Sequence, residues 1–230
     1  MTPTPRSRLA ALAAGALALA LAAAPRGPAP AGTDWRETHV VLVAGQSNAV
    51  GNDEISESRS GPTDYPPGAF QIGRGPGRDL RVLPAVAQLD HVRRREGRLG
   101  PALGFAHAYL AAHPGVRLIL VPAGRGRSGF VSGDWGAGAP LFEDSVRRTL
   151  AALEAAPDAR LVAILWQQGE RDANAARSPA DAAAYAAALD AQIAEWRARL
   201  PGGADVPVLL GEMTEPFAAR RDRFGIQAVI

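Results

Sequence analysis

Cysteine and lysine do not occur in this 230-residue sequence, and histidine appears only four times. Without cysteine there is neither a disulfide nor a thiolate metal ligand, so the folded chain must be held by its core. His39, His91, His107 and His113 are scattered without ligand spacing, so no metal and no cofactor is expected. Long apolar runs are also missing. The longest, Leu9 to Ala24, is rich in alanine and falls short of the about 20 residues that span a bilayer. All 25 basic residues are arginine, read here as a bias of composition, and the pI is 9.6. Three of them, Arg6, Arg8 and Arg26, precede residue 32, and without them 22 arginines face 23 acids. That near-neutral balance excludes a basic nucleic-acid-binding surface as the main theme.

The first 31 residues have the layout of an export signal. Arg6 and Arg8 give a positive start, Leu9 to Ala24 the apolar centre, and Ala29-Pro30-Ala31 a small-residue cleavage site. The expectation is a signal peptide over 1–31, export to the periplasm or beyond, and no stable membrane anchor after cleavage. Residues 32–230 then form one domain, large enough for a sizeable core.

Three segments share one pattern, a buried strand ending in a polar, glycine-bearing loop. His39 to Asn52 reads HVVLVAGQSNAVGN, Val116 to Phe130 reads VRLILVPAGRGRSGF, and Leu161 to Ala173 reads LVAILWQQGERDA. Continuous β-branched runs mark parallel strands buried on both faces. Since βαβ crossovers share one hand, the three loops gather along one edge of the sheet. Ser47 falls just past the first strand, where open α/β sheets bind their ligands. Helical spacing is visible between strands: Leu103, Ala106 and Leu110 after Pro101; Phe142, Val146, Leu150 and Leu153; and Tyr185, Leu189, Ile193 and Trp196. Ser178, with Pro179 after it and Asp181 three residues on, reads as the N-cap of the last of these. A final strand is expected over Val206 to Leu210. The fold class is α/β, a three-layer doubly wound parallel sheet of flavodoxin-like type. Asn52 to Gly100, full of Gly-Pro turn signals, reads as one long irregular region.

The order G-Q-S-N-A-V-G, V-P-A-x-x-G-x-S-G-F and W-x-Q-G-E-x-D resembles the SGNH hydrolase superfamily, and within it the sialate O-acetylesterase or carbohydrate esterase family 6-like group. The resemblance implies a serine esterase that hydrolyses O-acetyl esters on a carbohydrate. A serine hydroxyl needs a base to take its proton, and the tetrahedral intermediate needs donors for its oxyanion. By resemblance Ser47 is the nucleophile and gives one oxyanion N–H, Gly126 gives a second, and the Gln168 side chain a third. Gln46, Asn48 and Glu170 are supporting residues: Glu170 holds the Ser47 loop and Asn48 makes a local turn bond. Asp172 starts the segment that follows. Where the family commonly has two adjacent glycines, this chain has Gly126-Arg127.

Gly124 to Gly129 also fits G-x-G-x-x-G, but Phe130 to Pro140 is no helix that could meet a pyrophosphate, so dinucleotide binding is not expected. The family's base is the histidine of a D-x-x-H motif near the C-terminus, and this sequence has no histidine after His113. His91 is the one histidine that the sequence places within reach of the site. The apolar run Phe224 to Ile230 ends the sequence where that motif and a terminal helix are expected. The reading is an esterase domain whose C-terminal part is missing from this sequence. The alternative is a degenerate, non-catalytic carbohydrate-binding domain.

Overall fold

The computed structural model describes residues 35–51, 53–54, 61–93, 98–174, 181–213 and 215–219. The expected signal over 1–31, the Ser178 cap and the run 224–230 lie outside them. Among the described residues no helix is long and apolar enough to cross a membrane.

Strands β1 (Glu37–Gly45), β3 (Ala69–Ile72), β4 (Val82–Pro84), β6 (Val116–Pro122), β7 (Arg160–Gln167) and β8 (Val208–Leu210) form one sheet in the order β4-β3-β6-β1-β7-β8. All neighbours run parallel except β3 and β4. The parallel sheet expected from sequence is therefore mixed at one edge. Short strands β2 (Asp53–Glu54) and β5 (Arg98–Leu99) pair apart from it. The region read as irregular from Asn52 to Gly100 thus supplies two strands of the main sheet. Their three or four residues are too few to carry a periodic signal, and the pairing with β6 decides their conformation. Arg148, 1% exposed, helps to hold this region by donating to the Gly73 carbonyl at 2.8 Å.

Successive residues of β1 serve opposite faces, as a pleated strand requires. Val40, Leu42 and Ala44 pack under α3 (Pro140–Leu153) and α4 (Ala182–Arg199) with Phe142, Val146, Tyr185, Leu189 and Trp196. Val41 and Val43 pack with Ala102 and Ala106 of α2 (Pro101–Ala112) on the other face. The three layers are as the sequence predicts. The N-cap of α4 is Asp181, however, whose carboxylate accepts the Ala184 N–H at 2.8 Å. A carboxylate bonded to an orphan N–H of the first turn makes a full cap by itself. On the α2 side, among the described residues, Leu165 and the exposed Leu209 line an apolar groove of about 190 Å³ with Phe105 and Pro101.

Candidate active site

The carboxyl ends of β1, β6 and β7 lie side by side, and backbone bonds continue the ladder beyond them. Gln46 N–H donates to the Gln167 carbonyl at 2.9 Å, and Arg125 N–H to the Gly45 carbonyl at 3.1 Å. The three polar loops are thereby locked to one another before any side chain is considered. Gly45 makes this possible, with φ of +128° and its Cα pressed against the Gln167 peptide.

Ser47 opens the single-turn helix α1 (Ser47–Val50) and is half-buried. Across from it, a Cβ added to Gly126 would lie 3.9 Å from the Ser47 Cβ, with nothing else within 4 Å. Among the described residues neither the Ser47 nor the Gly126 N–H has a hydrogen-bond partner. Arg127, exposed, has φ of +64°. That left-handed conformation suits glycine far better than arginine.

The supporting residues form one buried network. Gln46 Oε1 accepts the Arg171 N–H at 3.2 Å and faces Gln168 Nε2 at 3.3 Å. Asn48 Nδ2 donates to Glu170 Oε1, a bond between the first and third loops beside whatever local turn the sequence suggested. Gln168, 1% exposed, directs Nε2 at Asp172 Oδ2 (2.6 Å) and the Ser128 carbonyl (3.2 Å). Asp172, fully buried, accepts the Phe130 and Val131 N–H groups, each at 3.1 Å. It bridges two loops, a task its place in the sequence did not reveal. Trp135 Nε1 donates to Ser128 Oγ at 2.8 Å, and that hydroxyl donates to the Arg125 carbonyl at 2.7 Å. Ser128 thus ties the second loop to an aromatic floor of Trp135, Trp166 and Trp196.

None of the four histidines offers Ser47 a base. His39 sits at the far end of β1 and bonds Tyr109, His107 meets the Asp64 carbonyl, and His113 the Tyr109 carbonyl. His91 does lie beneath the site, but its Nδ1 accepts the Gly124 N–H at 3.0 Å. The lone pair a base requires is occupied, and the remaining Nε2 carries the proton. Burial first, and the Arg74 charge second, bring the His91 pKa down to about 3. Its imidazole stays neutral in the folded chain while the unfolded one protonates near 6.5. The stability it contributes is complete above about pH 6.5 and is lost as the pH falls toward 3. At pH 5 the loss should be about 2 kcal/mol, with the buried His39, its pKa also lowered chiefly by burial, acting in the same direction. His91→Asn keeps an acceptor for Gly124 and should flatten the pH dependence of denaturant unfolding between pH 7.5 and 5. An unchanged slope would refute this.

The family described as carbohydrate esterase, sialic acid-specific acetylesterase, matches residues 37–227. A probable 9-O-acetyl-N-acetylneuraminic acid deacetylase of Escherichia coli K12 is 28% identical over 138 residues, covering 51% of this chain. The match spans 42% of that relative's own length, less than half. In fold, the chain is similar to the crystal structure of NanS (TM-score 0.68, 24% identity, 80% of this chain and 70% of that one). It is also similar to a protein from Arabidopsis thaliana (TM-score 0.63, 22% identity, 76% and 73%). With the match running from β1 through all three loops, the chain belongs to the sialic acid-specific acetylesterase family of carbohydrate esterases.

Proposed function

We propose that this domain hydrolyses O-acetyl esters of a carbohydrate through an acyl-serine intermediate at Ser47. The observation that carries the reading is that the Ser47 and Gly126 N–H groups are unengaged among the described residues and that Gly126 stands beside Ser47, a Cβ there lying 3.9 Å from the Ser47 Cβ. Such donors accommodate the negative oxygen that forms when Ser47 Oγ attacks the acetyl carbonyl carbon. The Ser47 proton passes to a base, the sugar oxygen leaves as a hydroxyl after protonation, and water then releases acetate from the serine. The family's description and the name of the Escherichia coli relative support an acidic, acetylated sugar as substrate. Acetate release from such a sugar, measured for a chain that also bears a histidine base and for its Ser47→Ala variant, tests the reading. Release that is indifferent to Ser47 would overturn it.

A second reading, a carbohydrate-binding domain without turnover, is favoured by the engagement of every histidine elsewhere. Saturable binding of the acetylated sugar, unaltered by a D-x-x-H tail that brings no hydrolysis, would establish it. Residues 1–31 support an exported protein; the mass of the exported chain should correspond to cleavage after Ala31, and an uncleaved chain retained in the cytoplasm would refute export.

A further inference from the structure

The third loop carries two buried polar side chains four residues apart, Gln168 and Asp172. A primary amide has two hydrogens to give. Those of Gln168 face three acceptors: Asp172 Oδ2 at 2.6 Å, the Ser128 carbonyl at 3.2 Å and Gln46 Oε1 at 3.3 Å. Its Oε1 is buried with no partner among the described residues. Exchanging the amide oxygen and nitrogen would set an oxygen against the Asp172 carboxylate, so the hydrogen bonds fix the orientation.

Asp172 receives what Gln168 gives. Its Oδ2 accepts from Gln168 Nε2 and from the Phe130 N–H, and its Oδ1 from the Val131 N–H. The second loop wraps so closely that a Cβ on Gly129 would come within 2.6 Å of Oδ1. A buried carboxylate is tolerated when several N–H donors surround it, and those charge-assisted bonds are stronger than neutral ones. Gln168 meanwhile holds the Ser128 carbonyl of that same loop. The loop fastened in this way is the one that presents Gly126 to Ser47, and it contains Arg127 in its unfavourable left-handed conformation.

We propose that Gln168 and Asp172 act as one positioning pair that clamps the Gly126 loop against Ser47. The proposal rests on the esterase reading for its catalytic consequence; the clamp itself does not. Amide hydrogen exchange on the 230-residue chain tests the clamp directly. Gln168→Met and Asp172→Asn should each speed exchange at Phe130 and Val131 by 10-fold or more. Gln168→Glu, which opposes two carboxylates, should be worse than Gln168→Met, and adding Asp172→Asn to it should recover protection by restoring an amide against a carboxylate. Unchanged exchange in Gln168→Met, or no recovery in that double variant, would overturn the proposal.

Kinetics on an activated acetyl ester supply the second arm, in the form of the chain that shows Ser47-dependent turnover. Gln168→Met and Asp172→Asn should lower kcat by similar factors with KM unchanged, and the two together should cost little more than either, because both break one clamp. A 10²- to 10³-fold loss of kcat in Gln168→Met that multiplies with the Asp172→Asn loss, while exchange stays normal, is the pattern of an independent oxyanion donor and would overturn the proposal. Altered exchange without any Ser47-dependent turnover would sink the esterase reading and leave the clamp standing.

Discussion

Fusing a D-x-x-H-bearing C-terminal segment of a relative in frame after Ile230 is expected to raise acetyl-ester hydrolysis by about 10⁴- to 10⁶-fold, and Ser47→Ala in the fused chain to remove that gain. Under the esterase reading the Ser47 and Gly126 N–H groups, unengaged among the described residues, are the donors for the oxyanion. None of the four histidines serves as the base in this reading, since each has another partner. Nucleophile and base act as a unit, so removing Ser47 when no base is present costs little. The unfused 230-residue chain should therefore be slow and nearly indifferent to Ser47→Ala. Rapid, Ser47-dependent hydrolysis by that chain would show that residues 1–230 already contain a base, and the assignment of His91 as a buried support would have to be withdrawn.

The largest effect on stability is expected from Gly45→Ala. Its φ of +128° is one that an alanine rarely adopts, and the new methyl would lie 2.1 Å from the Gln167 carbonyl oxygen. Relief requires β1 and β7 to part at the register pair Gly45 and Gln167, where the Gln46 N–H also binds. Strand β1 is one of the two central strands of the sheet, and both β1 and β7 line the larger core. A loss of about 4 kcal/mol or more should follow, or failure to fold. Denaturant unfolding reads it, and a midpoint within error of the unaltered chain would show that the strand end is more yielding than the geometry implies.

How legible this was in the sequence differs from residue to residue. The run from Val40 to Val43 breaking at Gly45 identified β1 and put Ser47 at its carboxyl end, because burial on both faces leaves a continuous apolar signature. The facing stripes of α3 and α4 were equally plain. Strands β3 and β4 were not, since a segment as short as Ala69–Ile72 becomes a strand only by meeting the edge of β6. Ser178 preceded Asp181 as a cap in the sequence reading because both residues can cap, and only the Ala184 N–H decides between them. Gln168 was found as a site residue by resemblance, yet the direction of its amide depends on Asp172 and Ser128, which belong to different loops. His91 was within reach of the site in the sequence; that its lone pair is spent on Gly124 is a fact of three dimensions.

The loops around Ser47 are joined chiefly through peptide groups: Gln46 to Gln167, Arg125 to Gly45, and Phe130 and Val131 to Asp172. A change of the exposed Arg127 side chain therefore leaves these bonds in place. A search that demands two adjacent glycines at 126 and 127 passes over this chain. A pattern built on Gln168, Asp172 four residues later, and Gly129, which leaves room for that aspartate, follows instead the contacts that join the loops here.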